Sequence, residues 1–185
     1  MRVIAGSLKG RPIYYLKNSV TRPLKDAVRE NIFNILKHSK FIDINIEQSN
    51  ILDLYSGVGS FGIECLSRGA KKVTFIEQDK NAVNILKENL MKLNILEKTK
   101  IYNNKIENIL KDKKEKYNIF FFDPPFINKD FVEIFSLIKK NRIYTQKNII
   151  IIHRDNKTTD ALENYINIID VKKYGRSKII FAFFS

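Results

Sequence analysis

The chain has no tryptophan, one cysteine (Cys65), two histidines (His38 and His153), four prolines and seven glycines among its 185 residues. A lone cysteine excludes an internal disulfide framework and any multi-cysteine zinc site. With so few histidines no metal centre is expected, and the low cysteine use fits a reducing cytoplasm. No apolar run approaches the ~20 residues that a membrane-spanning helix needs. The longest such stretches, Ile119–Phe122 and Ile149–Ile152, have the length of strands. The opening Met1–Gly6 runs into Lys9 and Arg11 without an apolar core, so no signal peptide is expected. Acidic residues are also in short supply. Twenty Asp and Glu stand against 33 Lys and Arg, a net charge of +13.

What is present fits a single folded domain. The length matches the usual ~100–200 residues per domain, and 44% hydrophobic with 29% charged residues supports one buried core. A basic balance of this size points to a polyanion partner. Lysine drift in an Ile-, Lys- and Asn-rich composition is the bland alternative, and the distribution argues against it. Residues 1–40 hold nine basic residues against Asp26 and Glu30, and four of the nine are arginine (Arg2, Arg11, Arg22, Arg29). Arg2, Arg11, Arg22, Lys25 and Arg29 are therefore candidate nucleic-acid contacts.

Periodicity divides the chain at about residue 50. Before it, Val3–Ala5 and Pro12–Leu16 read as a small basic β-hairpin, and Leu24–Leu36 as an amphipathic helix. After it, strands and helices alternate. Strands are expected at Ile51–Tyr55, Lys72–Ile76, Thr99–Tyr102, Ile119–Phe122 and Ile149–Ile152. Helices are expected at Phe61–Ser67, Asn81–Leu93, Ile106–Leu110, Phe131–Ile138 and Thr159–Tyr165. Ile168–Lys172 and Ile179–Phe184 are joined by too few residues for a parallel crossover, so they pair antiparallel. The organisation is an N-terminal basic extension over 1–49 and a core over 50–185, read as one compact unit. The fold class is α/β: a Rossmann-like, mostly parallel sheet with helices on both faces and a C-terminal antiparallel hairpin. Ile119–Phe122 has no polar side and should lie at the centre of the sheet.

Two segments carry chemistry. The first core strand runs through Asp53-Leu54-Tyr55-Ser56 into Gly57-Val58-Gly59-Ser60-Phe61-Gly62, a glycine pattern between strand and helix. Nicotinamide enzymes share that pattern. Asp53 just before it suits a cationic amino-acid moiety better than a pyrophosphate, and Glu77 at the end of the next strand can take two ribose hydroxyls. Together they point to S-adenosylmethionine, with NAD still open from this segment alone. The second segment is Asp123-Pro124-Pro125-Phe126 after the buried strand. Consecutive prolines fix φ and bar helix, giving a stiff extended turn. Such a turn can aim Asp123 and the Pro124 carbonyl at one NH₂ group while Phe126 offers a stacking face. The catalytic candidates are Asp123, Pro124 and Phe126. Cys65 reads as a small core residue and Arg68 as a helix cap or the partner of a neighbouring side chain. His153 either faces the cleft or plays a structural part, with the structural part favoured.

With these segments in place the chain resembles the RsmD-type family of small-subunit rRNA guanine-N2 methyltransferases. The resemblance rests on Arg2–Gly6, Thr21-Arg22-Pro23, Val28–Leu36, Leu52–Gly62 with Glu64, Leu66–Ala70 and Asp123–Phe126. It implies a seven-stranded class I methyltransferase fold, S-adenosyl-L-methionine as cofactor, 16S rRNA or the small ribosomal subunit as partner, and an N-terminal hairpin that grips RNA. On that resemblance the cofactor contacts are Asp53, Tyr55, Ser56, Gly57, Gly59, Glu77, Gln78 and Asn104, with Asn103 the alternative to Asn104 for the adenine contact. Where the family carries an Asp near the end of the third strand, this chain has Tyr102-Asn103-Asn104-Lys105. The rival readings are an amino-group methyltransferase acting on adenine or cytosine, a dinucleotide oxidoreductase, and a non-catalytic RNA-binding assembly factor.

Overall fold

The computed structural model describes residues 1–15 and 24–185. Seven strands form one sheet: β1 (Asn50–Leu54), β2 (Lys72–Glu77), β3 (Thr99–Asn103), β4 (Tyr117–Phe122), β5 (Tyr144–Asp155), β6 (Asn167–Tyr174) and β7 (Ser177–Phe183). Their spatial order is β3-β2-β1-β4-β5-β7-β6. The first five are parallel, and β7 lies antiparallel between β5 and β6. The helices are α1 (Asp26–His38), α2 (Ser60–Ser67), α3 (Lys80–Lys92), α4 (Ile106–Leu110) and α5 (Glu133–Asn141). None of the helices among the described residues is long and apolar enough to cross a membrane.

Period-2 alternation sorts the strand side chains into two cores. Ile51, Val73, Phe75, Ile119, Phe121, Ile149 and Ile151 face α1, α2 and α3. Leu52, Leu54, Ile76, Phe120, Phe122, Ile150 and Ile152 face α4 and α5. Because β4 is covered on both sides, its Ile119–Phe122 run has no polar position, as its composition predicts. On the first face Phe121 stacks on Phe61 at 4.0 Å, and Phe61 on Phe33 at 5.2 Å, so α1 is wedged onto the sheet through α2.

The N-terminal segment is bound to the same core. The Glu64 carboxylate of α2 accepts the backbone N–H groups of Ile4 and Ala5 and pairs with Arg68 at 2.8 Å. Asn89 of α3 exchanges hydrogen bonds with the Tyr14 backbone and also donates to the Val58 carbonyl, joining the hairpin to the glycine loop. The hairpin itself is slighter than expected. Among the described residues it has one antiparallel bridge, Arg2 to Pro12, flanked by the N–H bonds of Val3, Gly10 and Ile13 to the carbonyls of Arg11, Val3 and Met1, while the next N–H groups, those of Ile4 and Ala5, go to Glu64 of α2. Its expected end, Leu16, and the Thr21-Arg22-Pro23 segment lie outside the described residues.

Three expectations need correction. Tyr55 is not part of β1: its φ of 58° turns the chain out of the sheet. The buried β5 extends over twelve residues rather than four. The helix expected over Thr159–Tyr165 is only a 3-10 turn, Leu162–Asn164. Asp160, placed to cap such a helix, is committed to Arg154 instead.

Candidate active site

The site is built at the carboxyl ends of β1, β2 and β4, where a parallel sheet of this order opens to ligands. Asp53 lies within β1, and its Oδ2 accepts the Gly62 N–H at 3.0 Å. Its Oδ1 is buried and has no partner among the described residues. Burial pushes the Asp53 carboxyl well above the usual range; the Gly62 hydrogen bond opposes this, and Asp123 and Glu77 add to it. Beyond Asp53 the chain turns at Tyr55, whose phenol is pushed up by burial, and at Ser56, whose N–H donates to the Ile76 carbonyl. The Ser56 Oγ is buried and has no partner among the described residues.

The glycines have separate reasons. A Cβ at Gly57 would meet nothing within 4 Å, so the space above the loop is open to a ligand. At Gly62 a Cβ would come within 2.3 Å of the Phe75 ring, so glycine alone lets α2 lie this close to β2. Glu77 joins the loop to β2. Its Oε2 accepts the Gly57 N–H and its Oε1 the Asp79 N–H, both at 2.8 Å. Gln78 is exposed and its carbonyl accepts from Asn103. The Asn103 amide donates to the Glu77 and Gln78 carbonyls at 3.0 Å each, fixing the end of β2. Asn104 is exposed, and its side-chain oxygen accepts from Lys105 N–H and the Asn108 amide.

Facing this loop is the turn after β4. The strands are adjacent and in register, with Leu54 opposite Phe122, and the Asp123 N–H points at the Leu54 carbonyl at 3.4 Å. The Asp123 side chain is 27% exposed, and its Oδ1 lies 2.8 Å from His153 Nδ1. Pro124 is buried, while Phe126 is 40% and Ile127 92% exposed. The turn is held from behind by Arg154, a fully buried arginine at the end of β5. Its guanidinium donates to the carbonyls of Pro125 (3.1 Å), Phe126 (3.2 Å) and Asn128 (3.0 Å). It also forms a two-pronged pair with Asp160 at 3.0 and 3.1 Å. The Pro124 carbonyl is outside this set. Sequence reasoning missed both Arg154 and Asp160. The available signal was an arginine two residues past an all-apolar strand, where a buried charge requires a partner.

The basic candidates separate. Arg2, Arg11 and Lys25 are exposed. Arg29 is not available to a phosphate, which corrects its assignment as an RNA contact. It is fully buried, donates to the Arg2 carbonyl and pairs with Asp26 at 3.0 Å. Burial lowers its pKa, against the opposing pull of Asp26 and Glu64. Helical spacing puts Arg29 on the same side as Ile32 and Phe33, which is why it is enclosed rather than presented. Arg22 lies outside the described residues. Cys65 is in the core, where burial pushes its thiol up. No group of three or more His, Cys, Asp or Glu side chains among the described residues could hold a metal ion.

Comparison with known proteins places this architecture. A family model described as "Conserved hypothetical protein 95" matches residues 1–183. The chain is 32% identical over 184 residues to Ribosomal RNA small subunit methyltransferase D of Buchnera aphidicola subsp. Baizongia pistaciae, covering 100% of this chain and 91% of that protein. It is 40% identical over 129 residues to the protein of the same name from Haemophilus influenzae, covering 68% of this chain and 64% of that one. Among solved structures, a candidate methyltransferase from Escherichia coli is similar with a TM-score of 0.83 at 26% identity, over 98% of this chain and 96% of that one.

Proposed function

The chain belongs to the Conserved hypothetical protein 95 family, and from this premise we propose that it methylates the exocyclic N2 amine of a guanine in small-subunit ribosomal RNA, with S-adenosylmethionine as cofactor. The observation that carries the reading is the adjacency of two loops. The glycine loop after β1 and the Asp123–Phe126 turn after β4 leave neighbouring, in-register strands. A methyl donor on one loop therefore meets an amine on the other.

The residues fit that cofactor. The open space above Gly57 receives a ligand without collision. The unpartnered Asp53 Oδ1 is a buried acceptor suited to an ammonium group. Glu77, already holding the loop, has lone pairs left for ribose hydroxyls. When bound, S-adenosylmethionine supplies an electrophilic methyl group. The chain's own residues do the rest. Asp123 and the Pro124 carbonyl accept the two N–H groups of the target amine and turn its lone pair out of conjugation with the ring. Phe126 supports the base by stacking, worth ~1–3 kcal/mol. Asp123 or water accepts the proton that the amine loses. The gain is mainly orientation and electrostatics, with proton-transfer assistance of ~10²–10⁴-fold.

Arg2, Arg11 and Lys25, with Arg22, are the side chains proposed to meet RNA phosphates, making the first forty residues a grip beside a methyltransferase core. The compartment is the cytoplasm, where small-subunit rRNA is found. Calorimetry should give micromolar binding of S-adenosylmethionine and none of NAD, and label from the methyl group should appear in small-subunit rRNA. Binding of NAD, or an absence of label in rRNA of every assembly state, would reject the reading.

A further inference from the structure

β5 ends in two polar residues with separate tasks. Successive strand residues point to opposite faces, so Arg154 reaches the carbonyls behind the Asp123–Phe126 turn while His153 reaches its acidic residue. The register brings this about. Ile152 is paired with Phe122, so the next residues on each chain, His153 and Asp123, stand level with one another. Their contact, Nδ1 to Oδ1, is 2.8 Å. His153 is only 5% exposed, and its Nε2 is buried with no partner among the described residues. The Phe126 ring meets the imidazole edge-on, with centroids 5.4 Å apart.

A carboxylate oxygen can only accept, so Nδ1 is the donor. A proton on Nε2 would leave a buried donor without an acceptor, which costs about 1–3 kcal/mol. Both facts select the neutral ring with hydrogen on Nδ1. We propose that His153 is a positioning residue: its Nδ1–H fixes Asp123 Oδ1, so that Oδ2 is the carboxylate oxygen left to orient the target amine beside the Pro124 carbonyl. This role rests on the function proposed above. His153 does not touch the base; it acts through Asp123 and, by its edge contact, on the plane of Phe126.

The test separates tautomer from turnover. The chain's other histidine is His38, which is exposed, so a His38→Gln protein leaves one imidazole to observe. Its ¹⁵N spectrum at neutral pH should show Nδ1 protonated and Nε2 bare. The opposite tautomer, or a rapid average of the two, would overturn the proposal. Activity is then compared in two variants. His153→Asn keeps an N–H at the δ position, and His153→Phe keeps the ring without a donor. Loss of this charge-assisted bond should lower kcat of His153→Phe roughly tenfold or more, with cofactor affinity unchanged. His153→Asn should recover most of that loss. Equal activity in the Phe variant and the parent would also overturn the proposal. If the parent methylates no rRNA, the functional reading fails with the proposed role, while the tautomer still reports whether the Asp123 contact exists.

Discussion

The two halves of the cleft are built by different means. The proposed cofactor half, after β1 and β2, is made from backbone: glycines that admit close approach, N–H groups held by Glu77 and Asp53, and a sharp turn at Tyr55. The proposed substrate half, after β4, is made from side chains. Arg154 and His153 come from β5, about thirty residues downstream, and Asp160 from the segment beyond it. A local backbone device leaves a local signature in sequence. A clamp assembled across the sheet leaves only isolated residues whose partners cannot be known before the strands are paired.

Breaking the clamp should have the largest effect. Arg154→Ala leaves Asp160 buried without its partner and the Phe126 and Asn128 carbonyls without a donor, while the Pro125 carbonyl keeps the Asn128 N–H. Loss of one member of a buried pair costs about 3–5 kcal/mol, which thermal unfolding would register as a large fall in Tm. Removing both charges, in Arg154→Met with Asp160→Leu, should recover much of the stability but not the turnover, since the Phe126 and Asn128 carbonyls stay unheld. Recovery of both would reduce the clamp to a packing feature.

Asp123→Ala comes next. It removes an acceptor from the substrate half and leaves the cofactor half untouched. Turnover should fall by roughly 10²-fold or more while cofactor affinity changes little. A comparable loss of cofactor affinity in calorimetry would mean that the halves are not separable.

The converse test is Glu77→Ala. It frees the Gly57 N–H and removes the proposed ribose acceptor, so cofactor affinity should drop by about 1–3 kcal/mol. Asp53→Asn gives the same half a pH signature. The native carboxyl is raised above its unfolded value, so the folded state keeps a proton that the unfolded state has released. Stability contributed by this group therefore falls as pH rises from the unfolded value towards the folded one. The Asn protein should gain stability relative to its parent over that rise, while binding cofactor less well. Parallel stability profiles of the two proteins would contradict this.

The smallest effects belong to the basic extension. Replacing Arg2, Arg11 or Lys25 with Ala should weaken RNA binding modestly. Each lost phosphate contact should flatten the salt slope by about 0.7–0.9, with cofactor binding intact. Arg29→Ala should behave differently. It should destabilise the fold, because its guanidinium ties α1 to the Arg2 carbonyl, and the slope of any RNA that still binds should not change.

These differences account for what the sequence disclosed. Alternation of strand and helix gave the sheet, and the all-apolar Ile119–Phe122 gave its centre, because burial on both faces removes every polar position. The glycine loop and Asp123–Phe126 were legible because each is a contiguous device. Arg29 was misread because charge states a residue's type and not its face; the register of α1 places it beside Ile32 and Phe33. The helix expected at Thr159–Tyr165 failed because Asp160 has a tertiary partner. Leu24–Leu36 succeeded, within two residues at each end, because Val28, Ile32, Phe33 and Leu36 of α1 recur at helical spacing on one buried face, which Arg29 shares.

The most direct measurement is the identity of the methylated nucleoside. Small-subunit rRNA, naked and assembled, is incubated with methyl-labelled S-adenosylmethionine and the protein, then digested to nucleosides. The account predicts N2-methylguanosine from the parent protein and little or none from Asp123→Ala. N6-methyladenosine would move the whole arrangement to a different base, since both amines fit the same two acceptors. Undiminished N2-methylguanosine from the Asp123→Ala protein would contradict the mechanism itself.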